Sequence, residues 1–178
     1  MMRMFFSKCM VCVLILFILD MASPIVYAQE PGQKVEREEL LFTEIVIAAT
    51  KYEQPVRDAP SFVTVITADD IQKYGYNTLA DALRSVAGMF VTNDRNYEYI
   101  GVRGFLRTGD YNTRILVLVN GHNTNDNVYA AGYIGTDFGI DMDIVKKIEI
   151  VRGPGSALYG TNAIFAVINV ITKTGENL

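Results

Sequence analysis

The feature that most constrains the fold is the stretch IEIVRGPGSALYGTNAIFAVINVITKTG at residues 148–175. It orders a strand, a Gly-Pro-Gly turn, a short helix and a final apolar strand at 165–172. Upstream, RILVLVNG at 114–121 is a second apolar run, and it ends in an Asn-Gly turn. Uninterrupted apolar runs of this length are typical of strands that are buried on both faces. We therefore predict a small sheet with an apolar centre.

Shorter patterns around these strands predict an α+β fold. SFVTVIT at 61–67 and the runs MFVTN and YIGVRGF are typical of short strands. Thr67 and Thr78 each stand before a helical pattern with an acidic residue three positions on, and we expect Gly88 to end the second helix. The resulting prediction is a small mixed sheet of about four strands, with short helices and long loops, over residues 61–178.

The first 28 residues have the layout of a secretory signal peptide. A basic start precedes an apolar run at 9–19, and Ala28 closes a cleavage site of small or apolar residues. Eleven apolar residues are too few for a membrane-spanning helix, which needs about 20. A short buried helix or an anchor stays an alternative, although Asp20 and Pro24 interrupt the segment. Cleavage would remove both cysteines and leave 150 residues without thiol chemistry.

Residues 29–60 are expected to form a flexible N-terminal segment. It is polar at first and carries prolines, and it contains the β-branched run TEIVIAAT at 43–50. The net charge is −4 and no basic cluster is present, which argues against nucleic acid as a partner.

Catalytic and cofactor patterns are weak. His122 is the only histidine, so catalysis by this chain is disfavoured and we predict that it is not an enzyme. Residues 155–160 have the glycine spacing of a phosphate loop, but Thr161 replaces the lysine that would hold the phosphate. The loop at 123–127 offers oxygen ligands without EF-hand spacing, so calcium binding stays open beside a polar turn. We predict no cofactor and no metal site.

Two arginines pose a desolvation problem. Arg103 and Arg152 each follow an apolar strand and precede a glycine. A guanidinium at the end of a buried strand is costly unless it meets a carboxylate or reaches water. The sequence alone leaves both solutions open.

Several blocks together resemble the plug domain of TonB-dependent outer-membrane receptors. The stretch from residue 148 resembles the final plug segment. Five further blocks match in the same order, so that the resemblance covers about 43–174: TEIVIAATKYEQP, APSFVTVITADDI, TLADALRSVAGMFV, IGVRGF and RILVLVNGHNTND. The resemblance implies a domain that closes a β-barrel of roughly 22 strands from inside. It also implies a small nutrient ligand such as a ferric siderophore, haem or cobalamin.

The resemblance implies a TonB box, the segment to which the energy-transducing TonB-type protein adds a strand. Its matching positions are Thr43, Glu44, Ile45, Val46, Ile47, Ala48 and Ala49. Ala48 stands where the family frequently has threonine, which bears on the strength of TonB pairing.

The resemblance also assigns two further sets of residues. Arg103 and Arg152 match plug arginines that pair with carboxylates of the barrel, the second partner that it implies. Residues that match the ligand-facing loops are Asn93, Tyr97, Tyr99, Asn123, Asn125, Asp126, Tyr129 and Tyr133. Tyrosine, asparagine and glycine in such loops suit adaptable polar contacts.

No run of barrel strands, each of about 9–11 residues, accompanies the plug blocks in these 178 residues. The chain is then either a fragment of a larger receptor or a plug made alone. We expect the first to lie in the outer membrane and the second in the periplasm. The alternative function is a free-standing periplasmic module that binds TonB or a ligand in a regulatory or competing role.

Overall fold

A computed structural model describes residues 45–58 and 62–175 of the chain. The predicted signal peptide, most of the predicted N-terminal segment, and Thr43 and Glu44 of the predicted TonB box lie outside the described residues.

The described residues form nine strands, three α-helices and two 3-10 turns. The strands are β1 Ile45–Val46, β2 Gln54–Pro55, β3 Phe62–Thr67, β4 Met89–Asn93, β5 Glu98–Val102, β6 Ile115–Val119, β7 His122–Asn123, β8 Val145–Arg152 and β9 Ala166–Thr172. The helices are α1 Ala68–Tyr74, α2 Leu79–Arg84 and α3 Ser156–Tyr159, and the 3-10 turns are Val56–Asp58 and Met142–Ile144.

The predicted mixed sheet is confirmed, with one strand more than expected. Five strands lie in the order β3-β8-β9-β6-β7, and only the β6–β9 pair is parallel. The additional strand, β7, arises because Asn120 and Gly121 both adopt positive φ and form a two-residue hairpin turn. Its second residue, Asn123, belongs to the loop predicted at 123–127, because that segment is polar. Two separate two-stranded sheets pair β1 with β2 and β4 with β5.

Both faces of the central strands are covered, which explains their continuous apolar character. On one face Ile148, Ile150 and Ile168 pack in the main core, together with Leu79 and Leu83 of α2. The opposite face carries a second, smaller cluster whose members are Ala48, Ala49, Leu116, Leu118, Val151, Ala163 and Val167. The segment between β1 and β2 therefore contributes Ala48 and Ala49 to the apolar packing on the sheet.

The predicted helix caps are confirmed at the N-termini. The Thr67 and Thr78 hydroxyls accept hydrogen bonds from the amides of Asp70 and Asp81, and each carboxylate bonds back to the cap. The predicted end of α2 is wrong, because the helix ends at Arg84. Gly88, with φ +78°, instead turns the chain into β4. Within residues 45–58 and 62–175, no helix combines the length and apolarity that crossing a membrane requires.

Candidate functional site

The first candidate site is the box hairpin, which we define as residues 45–55. Its two strands pair antiparallel, with Ile45 opposite Pro55. After Val46 the chain bends at Ile47 and turns over 48–50. The amides of Thr50 and Lys51 both donate to the Ile47 carbonyl, at 3.3 and 2.8 Å. The segment is therefore folded back on itself rather than extended.

The box hairpin is docked on the sheet by one side. Val46, Ala48 and Ala49 are buried, and the two alanines belong to the second core cluster. Ile45 and Ile47 are 50% and 38% exposed. Burial of each alanine methyl contributes only about 0.8 kcal/mol, whereas burial of the Val46 side chain contributes about 1.5–3 kcal/mol. The alanines alone therefore hold the turn weakly.

A buried carboxylate supplies the stronger contact. Glu149, in the middle of β8, has no exposed surface. Its Oε2 accepts hydrogen bonds from the amides of Ile47 and Ala48, at 3.0 and 2.9 Å. Hydrogen bonds to charged groups contribute about 1.5–3 kcal/mol each, which exceeds the contribution of the alanine methyls.

Lys147 completes this arrangement from the same strand. Its Nζ lies 3.1 Å from Oε1 of Glu149, an ionic contact without the alignment of a hydrogen bond. The same ammonium group donates to the Ile45 carbonyl. On the far side of the turn, Lys51 places its ammonium 4.7 Å from the ring centre of Tyr159. Glu149 is not among the predicted site residues, although an acid inside the apolar run IEIV signals a buried charge that needs partners.

The second candidate site is the arginine pair, Arg103 and Arg152. Arg152 ends β8, and its guanidinium donates to the Ala87 carbonyl and, at 3.0 Å, to the Thr64 hydroxyl. Its Nε is buried without a hydrogen-bond partner in the described residues. Arg103 donates to the Arg152 carbonyl at 2.9 Å and lies 5.5 Å above the Phe62 ring.

No carboxylate of the described residues compensates the positive charge of the arginine pair. Among the described residues, neither guanidinium forms an ion pair with a carboxylate. Burial and, secondarily, the charge of Arg103 lower the pKa of Arg152. Hydrogen bonds to carbonyl and hydroxyl oxygens therefore offset only part of the desolvation cost of the two guanidinium groups.

The third candidate site is the tyrosine cavity, a space of about 360 Å³. Its lining residues are Tyr97, Tyr111, Tyr129, Ala131 and Tyr133. The rings of Tyr97 and Tyr111 meet edge to face, with their centres 5.1 Å apart. A cavity of this size with several phenol groups can hold part of a small molecule through aromatic and hydrogen-bonding contacts.

Two aspartates shape the loops around the tyrosine cavity. Asp94 accepts from the amides of Asn96 and Tyr97, at 3.0 and 2.7 Å, and from the Tyr99 hydroxyl at 2.7 Å. These bonds, the Tyr97 amide first, lower the pKa of Asp94. The bond to Asp94 raises the pKa of Tyr99 to about 12.

Asp126 has the same role in the second loop. It accepts from the amides of Val128, Tyr129 and Ala131, at 2.7, 2.7 and 3.0 Å. These bonds, with the Tyr129 amide foremost, lower the pKa of Asp126. Burial raises the pKa of Tyr133, and the neighbouring Asp126 charge adds to that shift.

The predicted ligand-facing residues do not all lie together. Tyr97, Tyr129 and Tyr133 line the tyrosine cavity, whereas Tyr99 is buried and points its hydroxyl at Asp94. Tyr111 is not among the predicted residues, because it stands in a polar connection without any pattern that would single it out.

Three predicted asparagines serve the local backbone. Asn125 is buried and bonds to the backbone of Val117, Ile115 and Ala130. The side-chain oxygens of Asn93 and Asn123 each accept an amide two residues on. These contacts occupy oxygens of the loop at 123–127. The described residues contain no group of three or more His, Cys, Asp or Glu side chains placed to hold a metal ion.

Comparison with known proteins assigns the fold. A family model described as TonB-dependent Receptor Plug Domain matches residues 55–167, more than half of the chain. The ferripyoverdine receptor FpvA of Pseudomonas aeruginosa, solved with heterologous pyoverdines, superposes with a TM-score of 0.60 at 22% identity, over 77% of this chain and 17% of that one. The ferric yersiniabactin uptake receptor FyuA of Yersinia pestis superposes with a TM-score of 0.53 at 25% identity, over 64% and 17% of the respective chains.

Curated relatives extend this result in sequence. The vitamin B12 transporter BtuB of Vibrio vulnificus is 34% identical over 136 residues, 75% of this chain and 21% of that protein. An iron-regulated outer membrane virulence protein of Vibrio cholerae is 35% identical over 137 residues, 74% of this chain and 20% of that protein. The fold and these matches define a receptor plug. The chain belongs to the TonB-dependent receptor plug domain family, and it spans about a fifth of the length of these curated relatives.

Proposed function

We propose that this chain is the gate and ligand-sensing plug of an outer-membrane receptor for energised uptake of a scarce nutrient. The nutrient class is a ferric siderophore, haem, cobalamin or a similar molecule. The observation that carries the proposal is the family match over residues 55–167. The names of the relatives support a transport role rather than an enzymatic one.

Within this proposal, residues 43–49 are the TonB box. The partial exposure of Ile45 and Ile47 gives a partner a first point of contact at the surface. Strand addition would then use the backbone of the same segment. The TonB-type protein is the proposed periplasmic partner, and its binding requires the box hairpin to open.

The arginine pair is the proposed contact with the barrel of the parent receptor. The buried, unpartnered Nε of Arg152 and the absence of a carboxylate partner in the described residues support this assignment. Barrel carboxylates would neutralise two neighbouring positive charges, and bidentate pairing suits arginine.

The tyrosine cavity is the proposed ligand-facing surface. Its phenol groups and the loops shaped by Asp94 and Asp126 support contact with a polar, partly aromatic molecule. The ligand would thus meet the molecule at a surface distinct from the box hairpin.

Uptake by the host tests this function. A strain lacking the gene would be grown with ferric siderophores, haem or cobalamin as the limiting nutrient, and compared with a strain lacking the TonB-type protein. We expect both strains to lose uptake of the same nutrient. Uptake that persists without the TonB-type protein would overturn the proposal.

Cell fractionation tests the proposed location. We expect an antibody against residues 61–178 to detect a protein several times larger than this chain in the outer membrane. A soluble periplasmic band near 150 residues would favour a plug-like module that acts alone, and transport by this protein would be rejected.

A further inference from the structure

We propose that Glu149, supported by Lys147, is a latch that keeps the box hairpin docked and sets how often a TonB-type partner can bind it. This inference rests on the proposed role of residues 43–49 as the TonB box. Glu149 acts here as a positioning residue, since it lies in the sheet and would not itself contact the partner.

The docked hairpin and the partner-bound strand exclude each other. Strand addition requires an extended backbone whose N–H and C=O groups are free to pair. In the box hairpin, Glu149 accepts from the amides of Ile47 and Ala48. The Ile47 carbonyl accepts from the Lys51 amide. The backbone groups that a partner strand would use are therefore occupied by the chain itself.

The burial of Glu149 makes this contact a latch rather than an incidental bond. The side chain has no exposed surface, and it lies on the same sheet face as Val151, which carries the second core cluster. A buried carboxylate is costly unless it is paired and hydrogen-bonded. Because its hydrogen-bond donors are two amides of the box hairpin, opening the hairpin removes those bonds. The sheet therefore favours the docked hairpin.

Lys147 contacts both the same carboxylate and Ile45, the first residue of the box hairpin. Its ammonium group lies 3.1 Å from Glu149 and also donates to the Ile45 carbonyl. Glu149 and Lys147 thus hold three positions of the box, at Ile45, Ile47 and Ala48.

The latch determines the apparent affinity for a partner. When only a fraction of molecules is open, the apparent dissociation constant is the intrinsic one divided by that fraction. Weakening the latch should therefore tighten binding, which is the opposite of the effect expected for a residue that contacts the partner directly.

The test uses the purified full chain and its Glu149→Gln variant. Hydrogen exchange at the amides of Ile47 and Ala48 measures opening, and calorimetry measures binding to the periplasmic portion of the host's TonB-type protein. Neutral acceptors form hydrogen bonds roughly half as strong as charged ones. We expect exchange at both amides to accelerate about tenfold, with binding tighter by about the same factor, which equals about 1.4 kcal/mol.

The control is Glu98→Gln, because Glu98 is a partly buried carboxylate 2.6 Å from Arg84 that does not touch the hairpin. We expect unchanged exchange at Ile47 and Ala48 and unchanged affinity. Glu149→Asp retracts the carboxylate while keeping its charge, and it should act in the same direction as Glu149→Gln. Exchange at Ile168 in the core reports whether each variant remains folded.

The outcomes separate the latch from the proposed function. Unchanged exchange at Ile47 and Ala48 in both Glu149 variants would overturn the latch, even where the TonB-type protein binds the unaltered chain. Faster exchange with no binding by any variant would reject the TonB-box role of 43–49. It would also reject the proposal that Glu149 controls access of the partner. Faster exchange with weaker binding would also overturn the latch, since it would make Glu149 part of the contact surface.

Discussion

The box hairpin and the loops of the tyrosine cavity are both ordered by carboxylates that accept backbone amides, but from very different sequence distances. Glu149 reaches amides 101 and 102 positions away. Asp94 and Asp126 bond amides within two to five positions of themselves. The cavity loops are therefore ordered by contacts within each loop, whereas the hairpin is held by a contact with a distant strand of the sheet.

This difference suits the two proposed roles. A surface that recognises a ligand gains affinity when it is ordered before binding. A segment that a partner must capture has to leave its docked position first, so its contacts must be reversible. Local carboxylates serve the first need, and a distant buried carboxylate serves the second.

The largest expected effect comes from Ile47→Pro, which separates release of the hairpin from pairing with a partner. Proline removes the N–H group that donates a hydrogen bond to Glu149. Strand addition needs the same N–H group. We expect the hairpin to open, yet binding to the TonB-type protein should disappear, with far-ultraviolet circular dichroism almost unchanged. Ile47→Ala keeps the amide and should bind within a few-fold of the unaltered chain. Equal binding by Ile47→Pro would end the TonB-box assignment.

The next effect concerns ionisation at the cavity. The pKa of Tyr99 is raised to about 12, chiefly by its hydrogen bond to Asp94. The unperturbed pKa of tyrosine is about 10, so the bond stabilises the folded chain fully below that value and is lost as the pH rises through about 12. Absorbance titration should show a tyrosine that ionises near pH 12 and is absent in Tyr99→Phe. In Asp94→Asn, the remaining Tyr99 should ionise earlier, and an unchanged titration would contradict this assignment.

Asp94, the partner of Tyr99, should lose its contribution to stability at acidic rather than alkaline pH. Because the pKa of Asp94 is lowered, its bonds to the Asn96 and Tyr97 amides persist above the unperturbed pKa of about 3.9. They are lost as the pH falls through the lower, folded-state value. Nuclear magnetic resonance should show those two amide signals broadening below pH 3.9 while the core amide of Ile168 stays sharp. Simultaneous loss of all three would mean that the loop does not melt separately.

A smaller effect tests whether the two regions are independent. Asp126→Asn should speed exchange at Val128 and Tyr129 and leave Ile47 unchanged, because its contacts are local. Combined with Glu149→Gln, the changes in the free energy of unfolding should add to within about 0.5 kcal/mol, as for distant sites. Denaturant unfolding of the two single variants and the double variant measures this sum. A larger deviation would show that the cavity loops and the box hairpin are coupled.

The sequence predicted those parts of the fold in which local pattern and tertiary environment agree. The runs at 115–119 and 166–172 and the capping threonines Thr67 and Thr78 are of this kind. The turn at 48–50 could not be predicted from the β-branched run, because the Ile47 and Ala48 amides bond to Glu149, about 100 residues later in the chain.

The candidate sites show the same limit. Tyr97, Tyr129 and Tyr133 could be named because the resemblance assigns their loops to the ligand-facing side. Tyr111 reaches the tyrosine cavity only through the path of the chain between β5 and β6. Glu149 is visible in the sequence as an acid in an apolar strand. Its partners are not visible, because they come from a segment about 100 residues earlier.

The smallest expected effect concerns the contact between Arg103 of the arginine pair and Phe62. The Arg103 guanidinium lies 5.5 Å from the ring centre of Phe62, which is 69% exposed. An exposed cation–π contact contributes about 0.5–1 kcal/mol, so Phe62→Leu should lower the free energy of unfolding by about that amount. Phe62→Tyr keeps the aromatic face and should change stability less. A loss well above 1 kcal/mol in Phe62→Leu would mean that Phe62 holds β3 against β8 through packing, since Phe62 lies opposite Arg152 in that pair.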